Sequence, residues 1–187
     1  MQTKNSSGAG GNESRAVTGI AQTVLKLREC SNVQRCHTIP HRDEYTVGKH
    51  SHDALVLLLT LFPNISRDAI VAMTYHDYAE RWVGDMPCTA GWDDVSLGTA
   101  YRRAEAAVFE QEGVDLPFLH EVEDHILRVV DKLELWLWSM EQLAHGNVSV
   151  NGCLNRLNDY FEGLSAQERL PEPVAEVLRE YRWRRTS

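Results

Sequence analysis

Residues 75–87 read YHDYAERWVGDMP and place ionisable side chains inside a pattern that otherwise predicts a buried helix. His76 and Asp77 are adjacent, Glu80 follows Asp77 by three residues, and Asp85 follows Asp77 by eight. Burying charged groups costs several kcal/mol unless each group has a partner. A metal ion would be such a partner, so this stretch raises the hypothesis of a metal site.

Helical periodicity extends on both sides of this stretch and dominates the chain. Ser66 is a suitable N-cap for the helix that carries His76, and Gly84 is a suitable end for it. No segment has the alternation of a strand, and no repeat is visible. The sequence therefore predicts an all-α fold, a single helical bundle of about six to seven helices. The predicted helices cover about 15–30, 47–62, 66–83, 96–112, 117–144, 150–164 and 173–184, with loops at 33–46 and 84–96.

Length and composition agree with one globular domain. A chain of 187 residues with 43% hydrophobic residues can bury one sizeable core. We assign this domain to residues 15–187. The polar, Gly/Ser-rich residues 1–14 predict a disordered tail and not a signal peptide.

The charge and the cysteines indicate the surroundings of the protein. A net charge of −8 argues against binding to a nucleic-acid polymer, which favours basic surfaces. The longest apolar run, ALVLLLTLF, is too short to span a membrane. The four cysteines form no CxxC pair, which is typical of thiols in a reducing cytosol.

Two further polar residues stand alone on apolar helices. His50 lies near the start of the second predicted helix, and Asp131 lies within ILRVVDKLELWLW at 126–138. Together with His76 and Asp77 they would supply two imidazoles and two carboxylates, a set that suits Mn, Co, Fe or Zn. Two alternatives remain open on spacing alone. The histidines could be hydrogen-bonded core residues, and Asp131 could form an ion pair with Arg128 or Lys132.

The order of these residues resembles a known family. H…HD…D in an all-helical chain is similar to the HD-domain superfamily of metal-dependent phosphohydrolases. The closer similarity is to its small nucleotidase branch, which includes bacterial 5'-deoxynucleotidases and phage dATP triphosphohydrolases. The matching segments are RCHTIP at 35–40, TVGKHS at 46–51, YHDYAERWVGDMP at 75–87 and VVDKLELWLWSMEQLAHGN at 129–147.

The resemblance implies a role for ten residues. As ligands of a divalent metal ion (Co, Mn, Zn, Fe or Mg) it implies His50, His76, Asp77 and Asp131. As the catalytic acidic pair it implies Glu80 and Asp85. As substrate-binding residues it implies Arg35 at the phosphate, with His37, Thr38 and Ile39 near the sugar or base. Lys49 stands where the family often has Glu, so no role is carried over to that position.

The resemblance also implies an activity. The expected reaction is hydrolysis of the 5'-phosphate of a 2'-deoxynucleotide, with metal-bound hydroxide attacking phosphorus. The substrate would be a deoxynucleoside triphosphate of the dATP type or a monophosphate. A homo-oligomer in the cytoplasm is expected, in the host cytoplasm if the protein is phage-encoded. Alternatives are a catalytically silent module that binds metal or nucleotide, an HD phosphodiesterase, and a purely structural helical protein with a salt-bridged core.

Overall fold

The all-α prediction is confirmed. The computed structural model describes residues 11–87, 90 and 94–186. Within them, seven α-helices have nine residues or more and one has four. The helices are α1 (Gly11–Cys30), α2 (Val47–Leu61), α3 (Arg67–Tyr75), α4 (Glu80–Val83), α5 (Val95–Glu112), α6 (Glu121–Ala144), α7 (Asn151–Ala166) and α8 (Glu172–Thr186), with a 3-10 helix at Val148–Val150 before α7.

The long helix α6 is the centre of the bundle. It packs against α2, α3, α7 and α8. Leu133 and Trp136 of α6 are almost completely buried, and they belong to the largest apolar cluster. Asp131 therefore lies in the middle of the helix around which the others pack, with its own side chain partly exposed.

Side-chain caps start the helices close to where the sequence predicts. The Thr46 hydroxyl accepts a hydrogen bond from the Lys49 amide at the start of α2, and Ser66 does the same for the Ala69 amide at the start of α3. Asp94 accepts from two amides at the start of α5. These caps satisfy amides that have no partner within the helix.

The predicted third helix is interrupted at the histidine. α3 ends at Tyr75, residues 76–79 form a turn, and α4 begins at Glu80. Nδ1 of His76 lies 2.7 Å from the Met73 carbonyl, which a continuous helix would use for a backbone bond. The amide of Tyr78 instead donates to the carbonyl three residues back, at 3.0 Å. The prediction of one helix to residue 83 was therefore wrong.

The first residues of two other helices differ from the prediction. α1 begins at Gly11, four residues before the predicted start of the domain, and residues 1–10 of the predicted tail lie outside the described residues. α6 begins at Glu121 and not at Pro117, four residues later than predicted.

The loop before α2 is closed by one antiparallel bridge between Gln34 and Thr46. The Arg35 amide donates to the Tyr45 carbonyl at 2.8 Å. No strand occurs in the described part of the chain. No helix there is both long and apolar enough to cross a membrane.

Candidate metal centre and adjoining cavity

Three elements bring the predicted metal ligands together. His50 comes from the first turns of α2, His76 and Asp77 from the turn after α3, and Asp131 from the middle of α6. His50 is completely buried, whereas His76 and Asp131 are partly exposed. The interruption after Tyr75 lies at the point where the histidine meets the other two elements.

The donor atoms have the separations of ligands around one cation. Nε2 of His50 lies 3.2 Å from Nε2 of His76 and 3.1 Å from Oδ1 of Asp131. Two ligands that each lie about 2.1 Å from a metal ion, with an angle at the metal between a right angle and the tetrahedral angle, are roughly 3.0–3.5 Å apart. Among the described residues these three form a group that could hold a metal ion, with all donor atoms within 4.8 Å of one another.

The other nitrogen of each imidazole has an acceptor as its partner. Nδ1 of His50 contacts a carboxylate oxygen of Glu134, and Nδ1 of His76 contacts the Met73 carbonyl. Because both partners are acceptors, each ring, once neutral as a metal ligand must be, would carry its hydrogen on Nδ1 and its lone pair on Nε2. Burial lowers the pKa of His76, but Asp77 and Asp131 outweigh it and raise that pKa, so a metal bound there would displace a proton from this ring. The chemistry of the donor set therefore fits a divalent metal.

Asp77 lies at the edge of this group. Its Oδ2 is 3.2 Å from Nε2 of His76 and 3.5 Å from Nε2 of His50. The same oxygen accepts a hydrogen bond from Nη1 of Arg35. Burial alone would raise the pKa of Asp77, but His76 and Arg35 outweigh it and hold that pKa below its usual value. Asp77 is thus a carboxylate that can complete the set while it holds Arg35.

Arg35 is buried between two carboxylates. Besides Asp77, its Nη1 lies 3.5 Å from Oε1 of Glu80. Burial lowers the pKa of Arg35, but the charges of Asp77 and Glu80 more than compensate and raise it above the ordinary value. A permanent positive charge is therefore fixed beside the candidate metal ligands.

The predicted catalytic pair lies next to this arginine. Glu80 is buried, and burial together with the charge of Asp77 raises its pKa to about 9. Asp85 accepts a hydrogen bond of 2.9 Å from the Cys36 amide, and burial raises its pKa as well. Cys36 has a left-handed backbone, with φ of 51°.

A polar cavity of about 310 Å³ joins most of these groups. Of the ten predicted residues, five line it: Arg35, Asp77, Glu80, Asp85 and Asp131. Further lining comes from α5 (Tyr101, Arg102 and Glu105) and from Lys132 of α6. Burial and the charge of Asp77 raise the pKa of Glu105 to about 7. The cavity therefore carries both acidic and basic groups beside the metal ligands.

A second, mostly apolar cavity of about 810 Å³ borders the same centre. Its lining includes His76 and Asp131 together with Met73, Phe118 and Leu127. The candidate metal centre consequently adjoins one polar cavity and one apolar cavity.

The other predicted substrate-binding residues do not line the polar cavity. His37 is half exposed, with Nδ1 3.6 Å from Oδ2 of Asp85. Thr38 is exposed, and Ile39 packs against the largest apolar cluster. His37 thus lies near the carboxylate of Asp85, and the Ile39 amide donates at 2.8 Å to the carbonyl of Cys36, which lines the cavity.

Sequence reasoning missed two members of the site and left a third open. Tyr45 and Glu134 are buried behind His50 and were assigned no role. Lys132 donates to Oδ2 of Asp131 at 2.7 Å, which resolves the open question of the ion pair, because Arg128 pairs with Asp124. The spacing from Asp131 to Glu134 is one helical turn, and that signal could have found Glu134.

Comparisons with known proteins support the helical fold. A scan against protein-family models and a search of curated proteins found no match. Among solved structures, the PH0347 protein from Pyrococcus horikoshii OT3 is similar to this chain, with a TM-score of 0.58 and 18% sequence identity. The alignment covers 86% of this chain and 97% of that one. At this identity the similarity supports the helical fold alone.

Proposed function

We propose that this protein is a metal-dependent phosphohydrolase that acts on the 5'-phosphate of 2'-deoxynucleotides. The observation that carries the proposal is the convergence of His50, His76 and Asp131 at one point, beside a cavity lined by Arg35 and Lys132. The resemblance to HD-domain nucleotidases supplies the substrate class.

The charges of the cavity suit an anionic ester. Arg35 forms an ion pair with Asp77, and Lys132 forms one with Asp131. Each positive charge is therefore balanced by a carboxylate. A bound divalent cation would acidify a water molecule and neutralise charge on the phosphate. The same cation would also attract the carboxylates of Asp77 and Asp131. The positive charges of Arg35 and Lys132 would then be less fully neutralised and could interact with the phosphate oxygens.

The buried acids would handle the protons. Glu80 would orient the attacking water and, with its raised pKa lowered by a bound divalent cation, accept the proton of that water. Asp85 would assist the departing alcohol. Water adds to phosphorus, the bond from phosphorus to the 5'-oxygen breaks, and that oxygen takes up a proton. A monophosphate would yield deoxynucleoside and orthophosphate, whereas attack on the α-phosphorus of a triphosphate would yield deoxynucleoside and triphosphate.

The test is an activity screen with defined products. Protein supplied with Co²⁺ or Mn²⁺ is incubated with the four deoxynucleoside monophosphates and the four triphosphates, and the products are separated by chromatography. Asp77→Ala should be inactive, and Glu141→Gln, an exposed change on α6, should keep wild-type activity.

Each outcome has a separate meaning. Deoxynucleoside with triphosphate, or deoxynucleoside with orthophosphate, would support the proposal and identify the substrate. Metal binding without turnover of any deoxynucleotide would overturn it in favour of a silent binding module. Hydrolysis of a diester such as bis(p-nitrophenyl) phosphate, and of no monoester, would favour a phosphodiesterase.

A further inference from the structure

A buried polar chain lies behind His50, on the side away from the other metal ligands. Oε2 of Glu134 contacts Nδ1 of His50 and accepts a hydrogen bond of 2.5 Å from the Tyr45 hydroxyl. Trp138 stacks on the Tyr45 ring with centroids 4.5 Å apart and planes 12° from parallel. All four side chains are at most 4% exposed.

Burying this group of polar side chains costs free energy, which suggests that they have a role in the site. A carboxylate that is 3% exposed loses its hydration, and neutral partners offset this only in part. The oxygen of Glu134 nevertheless faces the imidazole and not the solvent. Its geometry leaves one orientation for His50, with Nδ1 as donor and Nε2 towards the metal group.

The two candidate histidine ligands are held differently. His76 rests on a neutral backbone carbonyl at 2.7 Å, whereas His50 rests on a carboxylate. A carboxylate behind an imidazole fixes the tautomer and increases the electron density on the metal-binding nitrogen. The stronger influence therefore falls on His50, which is the more deeply buried of the two.

We infer that Glu134, held by Tyr45, is the positioning residue that sets the orientation and tautomer of His50 for metal binding. The inference rests on the metal centre of the proposed function and does not depend on the substrate. Trp138 contributes indirectly, because its stacking on Tyr45 limits the positions that the Tyr45 ring can adopt.

Titration with Co²⁺ alone tests the inference without any substrate. Glu134→Gln keeps the shape of the side chain and removes its charge, and we expect the Kd for Co²⁺ to rise about 10- to 100-fold. Glu141→Gln, two turns further along α6 and exposed, should bind as wild type. Tyr45→Phe should show a smaller loss, since Glu134 keeps its contact with His50.

A second readout separates positioning from general stability. Ring ¹⁵N chemical shifts of the histidines in metal-free protein report which nitrogen carries the hydrogen. Wild type should show His50 protonated at Nδ1, and Glu134→Gln should lose that single state, with the state of His76 unchanged. If Glu134→Gln does not fold, the Kd and the ¹⁵N shifts of Tyr45→Phe decide.

The outcomes distinguish this inference from the proposed function. Equal Co²⁺ affinity in wild type and Glu134→Gln would overturn the role of Glu134 and leave the metal centre standing. A wild type that binds no Co²⁺ would overturn both.

Discussion

Glu80 has one carboxylate oxygen, Oε2, that is buried and lacks a hydrogen-bond partner within the described residues. A buried polar atom without a partner is costly and rare in folded proteins. Glu80 also lies beside Asp77, whose charge adds to burial in raising the pKa of Glu80. Such a group is a candidate for proton transfer.

We therefore expect Glu80→Gln to separate activity from stability. If Glu80 is the proton acceptor, kcat for the deoxynucleotide should fall by about 10²- to 10⁴-fold. The free energy of unfolding should stay the same or rise. The amide of glutamine cannot ionise, so the unfavourable effect of burial and of the charge of Asp77 on the Glu80 carboxylate is lost. Steady-state kinetics and urea unfolding measure the two effects, with Glu110→Gln on the exposed side of α5 as control. Unchanged kcat would contradict the assignment.

At the scale of the element, the position of α2 depends on Gly48. A Cβ added there would lie 2.7 Å from Cβ of Ser31 and 3.0 Å from its carbonyl oxygen. The Gly48 amide also donates to that carbonyl at 3.1 Å. α2 thus starts in close contact with the turn after α1, and His50 follows two residues later.

Gly48→Ala should destabilise the protein although alanine favours helix. Crowding against the backbone of Ser31 typically costs about 1–3 kcal/mol. Gly163→Ala in α7 is the matched control, because nothing lies within 4 Å of its added Cβ. That control should stabilise by about 0.5–1 kcal/mol. Thermal unfolding of the two variants compares them, and a Gly48→Ala protein more stable than wild type would refute the close contact.

At the scale of the whole molecule, the candidate metal ligands join three separate elements. α2, the turn after α3 and α6 each supply one member of the His50, His76 and Asp131 group. Any ion bound there connects them in the folded state alone, so its binding energy adds to the free energy of unfolding.

Co²⁺ at 100 times its Kd should therefore stabilise wild type by about 2.7 kcal/mol. Differential scanning calorimetry should show a rise in Tm that a chelator reverses. Asp131→Asn should lose this rise because it removes an anionic ligand, whereas Glu141→Gln should retain it. An equal rise in Asp131→Asn would mean that Co²⁺ stabilises through another site.

The core around α6 sets the overall stability. Leu133 is completely buried, between the site residues Lys132 and Glu134 in sequence. Leu133→Ala should lower the free energy of unfolding by about 2–5 kcal/mol through lost burial and a cavity. Val122→Ala on the same helix, where the side chain is 70% exposed, should change it by less than about 0.5 kcal/mol. Urea unfolding of both variants checks the contrast.

Local patterns predicted most of the helices, because helix formation and capping depend on residues close in sequence. Ser66 was recognisable as a cap from its type and neighbours, and it accepts the expected amide bond. The cap at Thr46 was not predicted. The apolar faces of α2 and α6, each with one polar interruption, identified His50 and Asp131 as candidates.

By itself, then, the sequence determined an all-helical chain and predicted His50, His76 and Asp131, which the structure groups so that they could hold a metal ion. The tertiary structure showed where α3 breaks, at the turn where Nδ1 of His76 contacts the Met73 carbonyl and Nε2 lies 3.2 Å from Nε2 of His50. It also decided that Glu134 lies behind His50 and that Lys132, not Arg128, pairs with Asp131. Such contacts join residues up to 84 positions apart or choose between neighbours on one helix. Packing of the helices, and no local preference, sets them.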